Sequence, residues 1–281
     1  MPYIPIPKQF REASRVIESQ LFLQPKRLAI FEACLIGLVA GLAGVFLKLG
    51  VGWLGSWRVA TSTLIPAWIL LPAVGLLGGL LTGFLVERWA PETAGSGIPH
   101  VKAALSGVNL SLNLRVAVAK LLTTILAVGS GLTLGRQGPT VQIGASLASW
   151  IGHLMPTSPD YRRQLIACGA AAGLAAGFNA PIAGVLFVVE ELLHDVSGLT
   201  LGTAIIASFI GAVVSQLLGG DSLNLNLRDY QTSFAAQEIP FYILLGVLAG
   251  LLGALFSKGI IAGLQFNRKT LKLALHWRVA L

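Results

Sequence analysis

Charged side chains are scarce in this chain of 281 residues: they make up 11% of it, against 54% hydrophobic residues. The mean hydropathy is +0.76. Soluble globular domains carry about 25% charged residues, so this composition excludes an ordinary soluble domain. It favours a single integral-membrane bundle of helices.

Cysteine is also scarce, with only Cys34 and Cys168 in the chain. Each lies in an apolar run without a histidine or second cysteine nearby, which predicts buried thiols rather than a disulfide or metal site. His100, His153 and His194 lie far apart without ligand spacing, so no metal or other cofactor is expected. No Ser–His or paired-carboxylate arrangement occurs at a plausible depth, which argues against an enzyme.

Acidic residues are the minority among the charges: 12 Asp and Glu stand against 20 Lys and Arg, a net charge of +8. The basic residues gather at the two ends and in the loop at 156–163. The positive-inside rule accounts for this distribution without a nucleic-acid partner. We therefore expect both termini and this loop in the cytoplasm, beneath a bacterial-type plasma membrane.

Long apolar runs are abundant. Residues 1–28 are too charged to span a bilayer and predict a cytoplasmic amphipathic segment. Residues 29–220 predict a membrane domain, 221–240 a polar linker on the outer face, and 241–281 one further helix with a basic tail. The predicted spans are Leu28–Leu54, Leu64–Trp89, Arg115–Leu134, Leu199–Leu218 and residues 243–264.

One apolar run is interrupted at Leu132–Ala145, where Arg136 is followed by a helix that Pro139 opens. Proline belongs in the first turn of a helix, and the residues ahead of it leave backbone N–H groups uncapped. A helix that begins in apolar surroundings directs these donors and the positive end of its dipole at the break. The pattern predicts an anion site in a membrane protein.

Two further breaks flank this one. Pro99 begins a helix that Ser106 and Gly107 stop near Leu105, too short to cross a bilayer. The small-residue helix at Gly169–Gly177 stops before Pro181, which begins a third short helix that reaches Glu191. Such half-helices are tolerated only where protein encloses them or where they line a cavity. Lys120, within a predicted span, is expected to be paired or to face a wet cavity.

A spacing of small residues occurs twice in the chain. It allows another helix to approach closely, and its second occurrence follows a complete set of spans, which predicts the start of a second, inverted repeat. The first occurrence consists of Gly37, Ala40, Gly41 and Gly44, and the second consists of Gly246, Ala249, Gly250 and Gly253.

The order and spacing of three stretches resemble the signatures of the CLC chloride channels and chloride/proton antiporters. These stretches are Gly95–Pro99, Gly135–Gly144 and Gly173–Pro181. The resemblance covers the chain from about residue 28 onward. It implies an all-α integral membrane protein, a CLC-type bundle of tilted and broken helices with its own anion pore in each subunit. It also implies a homodimer, expected here through the small-residue helix and the third short helix.

The resemblance implies an anion site without a catalytic residue, with chloride as the transported substrate. The family's serine ligand maps to Ser96, and its amide ligands map to the helix start around Gln137 and Gly138. The expected anion-binding residues are Gly95, Ser96, Gly97, Ile98, Pro99, Gly135, Arg136, Gln137, Gly138 and Pro139.

Gln137 stands where the family usually has its gating glutamate. An amide is nearly isosteric with a carboxylate but cannot ionise, so it neither mimics an anion nor relays a proton. We expect passive anion conduction without proton coupling. Glu191 maps to the inner proton-transfer glutamate, a role that should be idle beneath Gln137.

Several alternatives remain open. Ser96 can be an ordinary helix cap, Arg136 a structural arginine, and Glu190 and Glu191 the polar end of a helix. Gly131–Thr140 superficially resembles a phosphate loop but lacks the Gly-Lys-Ser/Thr ending. The anion preferred, whether chloride, nitrate or fluoride, also stays open.

The resemblance predicts a second repeat with further helix N-termini and a tyrosine, and this chain encodes only the first helix of that repeat. We therefore expect a fold truncated relative to the family, with half of the anion coordination shell. A separate chain, or assembly of identical halves, would complete it. The alternative is a non-conducting or regulatory subunit that needs a partner chain.

Overall fold

The computed structural model describes residues 25–108, 110–155, 159–193, 198–219 and 236–270, and this part of the chain is helical with no strand. Most of the predicted N-terminal segment, of the polar linker and of the basic tail lies outside these residues, as does His194. The helices are α1 (Pro25–Thr61), α2 (Ala67–Arg88), α3 (Ile98–Leu105), α4 (Leu114–Gly129), α5 (Gln137–Leu154), α6 (Pro159–Phe178), α7 (Pro181–Phe187), α8 (Gly198–Gly219) and α9 (Ile239–Thr270), with short 3₁₀ turns at Pro91–Thr93 and Ala236–Glu238 and a π-helix at Val188–Leu193.

Within the described residues, four helices are long and apolar enough to cross a membrane by length and composition: Leu28–Thr61, Ala67–Arg88, Thr200–Gly219 and Ile239–Phe266. Each overlaps a predicted span. The first is longer than predicted and continues past Leu54 to Thr61.

The predicted span Arg115–Leu134 is wrong at its C-terminal end, because α4 stops at Gly129. Gly131 adopts a left-handed φ of 102°. Its N–H donates to the Val128 carbonyl at 3.1 Å, and the Leu132 N–H donates to the Ala127 carbonyl at 3.2 Å. These are the two bonds of a Schellman motif, which glycine permits and which satisfies the last helical carbonyls.

The small residues of α1 are used for close packing, as predicted. A Cβ on Gly37 would lie 2.6 Å from the Ala207 carbonyl oxygen of α8, and one on Gly41 would lie 2.9 Å from the Val214 Cβ. Only glycine, which has no side chain, fits at these two positions.

The two cysteines differ in burial. Cys168 is buried, as predicted, and its Sγ lies 3.3 Å from Thr203 Oγ1. Cys34 is only half-buried.

Helices α5 and α6 cross glycine to glycine at the centre of the bundle. A Cβ on Gly144 would lie 2.1 Å from the Gly169 carbonyl oxygen, and one on Gly173 would lie 2.2 Å from the Thr140 carbonyl oxygen. The small-residue helix is therefore enclosed within the subunit, with Ala170, Ala171 and Ala172 at 0% exposure. Its small faces pack against α5 and α8 of the same subunit, and the homodimer expected through this helix and α7 stays a prediction.

Helix α3 ends at Leu105, as Ser106 and Gly107 predict. Gly107 has φ 89°, and its N–H donates to the Ala104 carbonyl at 3.2 Å. A guanidinium N–H of Arg163, on α6, donates to the Leu105 carbonyl. The last carbonyl groups of this half-helix are thus satisfied by a glycine turn and by a guanidinium group. The positive charge of the guanidinium is also favourable at the negative end of a helix dipole.

Helix α9 repeats the small-residue spacing of α1 but does not use it. No atom lies within 4 Å of a Cβ built on Gly246, Gly250 or Gly253. None of its best apolar window is buried, and its main packing partner among the described elements is the 3₁₀ turn that precedes it.

Candidate anion site

The first break, Gly95–Pro99, is shaped by two glycines with left-handed backbones. Gly95 has φ 78° and Gly97 has φ 96°, which only glycine adopts without steric cost. Gly97 precedes α3, and no side chain caps that helix, so its first amide groups lack a capping partner. Ser96 is exposed, and because Gly97 is the N-cap residue, the alternative of an ordinary serine cap does not apply.

Lys120, on α4, holds the backbone of this break. Its Nζ donates to the Thr93 carbonyl at 2.8 Å and to the Gly95 carbonyl at 2.6 Å. The residue is only 3% exposed, so its charge is buried and paired with two carbonyl dipoles, as predicted for a lysine in an apolar run. These bonds direct the carbonyl oxygens of Thr93, just before the break, and of Gly95 toward α4.

Gln142, on α5, supports the same break. Its Nε2 donates to the Glu92 carbonyl at 2.9 Å, and its Oε1 lies 2.5 Å from the point that a Cβ on Gly97 would occupy. Gln142 was not predicted as a site residue. The signal available in the sequence is an amide side chain one turn into an apolar helix, which must find hydrogen bonds when buried.

The second break starts α5 directly beside the first. A Cβ on Gly138 would lie 2.3 Å from the Ser96 carbonyl oxygen and 3.1 Å from the Ser96 Cβ. Gly138 is buried, and no side chain caps α5. Pro139 lies in the first helical turn, as predicted, and has no N–H to satisfy. The start of α5 therefore reaches the backbone that precedes α3.

Gln137 is exposed at the first position of α5, and its side chain folds over Gly135. Its Oε1 lies 2.3 Å from the point that a Cβ on Gly135 would occupy, so the glycine makes room for it. Arg136 is the N-cap residue and is half-buried. Its carbonyl accepts from the Thr140 N–H at 3.1 Å.

The third break contacts α5 at Thr140, two residues after Gly138. A Cβ on Gly177 would lie 3.1 Å from Thr140 Oγ1. Asn179 takes a left-handed φ of 56°, and Pro181 then begins α7 as predicted. All three breaks therefore meet the first two turns of α5.

Glu191 lies apart from this junction. Helix α7 ends at Phe187 and continues as the π-helix, in which Glu191 pairs with Lys102 of α3 at 2.8 Å. Lys102 lies near the other end of α3 from Ser96. Lys102 was not predicted, because its partner is 89 residues away in sequence.

Among the described residues no three His, Cys, Asp or Glu side chains are grouped to hold a metal ion.

Comparison with known proteins supports this helical fold. A family model described as "Voltage gated chloride channel" matches residues 78–281. The chain belongs to this family. The voltage-gated chloride channel family includes the CLC proteins that the three sequence stretches resemble.

Two curated relatives and one solved structure illustrate the similarity. The H(+)/Cl(-) exchange transporter ClcA of Vibrio parahaemolyticus is 34% identical over 237 residues, covering 82% of this chain and 50% of the relative. The chloride channel protein CLC-d of Arabidopsis thaliana is 32% identical over 275 residues, covering 86% of this chain and 35% of the relative. The crystal structure of a slow cyanobacterial Cl⁻/H⁺ antiporter matches with a TM-score of 0.81 and 28% identity, covering 92% of this chain and 61% of that one. The chain thus spans about half the length of the curated relatives it matches.

Proposed function

We propose that this chain binds and conducts anions, with chloride as the substrate, as a subunit of a CLC-type transporter. The observation that carries the proposal is the contact of Gly138 with Ser96, which brings the uncapped starts of α3 and α5 together beside Ser96, an exposed residue. Backbone N–H groups and the positive ends of two helix dipoles favour an anion at such a junction. The proposed ligands are the Ser96 hydroxyl and the amides around Gln137 and Gly138.

The proposed conduction is passive. Gln137 occupies the first position of α5, beside the proposed anion. Its amide can neither carry a charge that competes with the anion nor take up and release a proton near neutral pH. The names of the relatives from Vibrio include proton exchange, so this chain would differ from them in coupling.

A second candidate function is supported by α9. Its large apolar side chains are exposed from Ile239 to Phe266, and the chain spans about half the length of the curated relatives it matches. A non-conducting or regulatory subunit that needs a partner chain would have this appearance, as would a half-transporter completed by a separate second repeat. We further propose a homodimer through α7, with both termini in the cytoplasm beneath a bacterial-type plasma membrane.

The test is chloride efflux from liposomes that hold the purified chain, with external pH recorded in the same run. Efflux without proton movement is the expected result. Efflux coupled to proton movement would contradict the passive mechanism. No efflux from protein that is folded and bound to the membrane would contradict conduction by the chain alone and favour the second candidate, and protein-free liposomes give the background leak.

A further inference from the structure

The side chain of Gln142 connects α5 with the backbone just before the first break and within it. Its Nε2 donates to the Glu92 carbonyl at 2.9 Å. It also fills the space beside Gly97, because a Cβ on that glycine would lie 2.5 Å from Gln142 Oε1 and 2.7 Å from the Gln142 Cβ. Gln142 is 0% exposed, so these contacts are made in the interior of the bundle.

The same face of α5 reaches the residue that presents the proposed hydroxyl ligand. Gly138 precedes Gln142 by four residues, about one helical turn, so the two residues lie on one face of α5. Gly138 contacts Ser96, while Gln142 contacts Gly97 and bonds to the Glu92 carbonyl. The hydrogen bond from Gln142 therefore holds the segment that presents Ser96 against the helix whose first amides are the other proposed ligands.

This bond is made at the expense of an unsatisfied oxygen. Gln142 Oε1 is buried and has no hydrogen-bond partner among the described residues. A buried acceptor without a partner lowers the stability of a fold, and an apolar side chain of similar volume would avoid that loss. Stability alone would therefore favour methionine at position 142, and a buried polar group of this kind requires another explanation. The bond to the Glu92 carbonyl is the explanation that the contacts offer.

We infer that Gln142 is a positioning residue that sets which size of anion the site prefers. It holds Ser96 in a fixed position relative to the start of α5, so the space between the two groups of ligands suits one anion radius. Without the bond to Glu92 the segment before Ser96 can move, and the site then holds chloride less well and accepts a larger anion more readily. The inference rests on the proposed anion site and does not make Gln142 an anion ligand.

The experiment compares chloride with iodide, a larger anion of the same charge, by isothermal calorimetry of the full chain in detergent. Gln142→Met keeps a similar side-chain volume and removes the bond to Glu92. It should weaken chloride binding about three- to tenfold and iodide binding less, so that the ratio of chloride to iodide affinity falls about threefold or more. Its melting temperature should stay within about 5 °C of that of the parent chain, because the unsatisfied Oε1 is removed together with the bond.

A second variant and a control accompany this substitution. Gln142→Asn keeps the amide but is shorter by one methylene group, which withdraws its nitrogen from the Glu92 carbonyl, and the ratio should fall as it does in Gln142→Met. Gln164→Met is the matched control. Gln164 lies on α6 and also has a buried Oε1 without a partner in the described part of the chain, and its replacement should leave the ratio unchanged.

The ratio of the two affinities separates positioning from general support of the fold. Replacing a residue that only supports the fold would weaken chloride and iodide binding in the same proportion and lower the melting temperature. An unchanged ratio in any Gln142 variant that folds would therefore overturn the inference while the anion site stood. A parent chain that binds neither anion would overturn the proposed function itself, and the inference with it.

Discussion

The contact of Gly138 with Ser96 leaves no room for a side chain at position 138. We expect Gly138→Ala to weaken chloride binding at least tenfold, because the added methyl group would displace Ser96, whose carbonyl oxygen is 2.3 Å from its position. Isothermal calorimetry of the purified variant measures the change. Gly75→Ala is the matched control, since nothing lies within 4 Å of a Cβ on that helical glycine. Equal affinities in the two variants would contradict the site.

Position 137 decides whether a titratable group faces the proposed anion. We expect Gln137→Glu to make chloride efflux pH-dependent. A glutamate with an ordinary pKa of about 4.3 is ionised at neutral pH, and its carboxylate would then compete with chloride. Efflux from liposomes should therefore be severalfold slower at about pH 7.5 than at about pH 4.5.

The parent chain is the control for this substitution, because Gln137 does not titrate. Its efflux should change much less than that of the variant over the same pH range. A variant whose pH dependence matches that of the parent would show that residue 137 does not face the anion.

Among the elements, the crossing of α5 and α6 fixes the position of all three breaks. We expect Gly169→Ala to destabilise the fold by about 1–3 kcal/mol, because the new Cβ would lie 2.3 Å from the Gly144 carbonyl oxygen. A lower melting temperature of the detergent-solubilised chain is the readout. Gly250→Ala, in the open environment of α9, is the matched control and should be neutral or slightly stabilising. A Gly169→Ala variant that melts with the parent chain would show that α5 and α6 do not cross this closely.

On the scale of the whole molecule, α1 to α8 share buried contacts whereas α9 stands apart. A chain that ends at Gly219 should therefore melt within about 2 °C of the full chain in detergent, because α9 buries none of its apolar window. Thermal denaturation followed by size-exclusion chromatography measures this.

A chain that ends at Leu193 is the comparison for that truncation. It also lacks α8, which packs extensively on α1 and α6, and it should melt at a much lower temperature or fail to fold. If the chain ending at Gly219 is destabilised to a similar degree, α9 packs on the bundle in a way that its exposed surface does not indicate.

The starts of the three half-helices were predictable because their determinants are local. Pro99, Pro139 and Pro181 each lie in the first turn of a helix, and proline suits that position through its fixed φ and missing N–H. The early end of α4 was not predicted. Gly131 lies in an apolar run that continues to Leu134, and hydrophobicity alone does not reveal that its backbone is left-handed.

Composition and local backbone preferences by themselves determined that this is an all-helical membrane protein with three interrupted segments. The tertiary structure alone decided that the three breaks meet around the first two turns of α5, because that meeting depends on glycine contacts between distant helices such as Gly144 with Gly169. It also decided the partners of the buried and half-buried charges: Lys120 bonds to the carbonyls of Thr93 and Gly95, and Lys102 pairs with Glu191. A buried charge is costly unless it is paired or hydrogen-bonded, and packing decides which group lies close enough to be its partner. The separation of the two residues along the sequence does not predict such a pair.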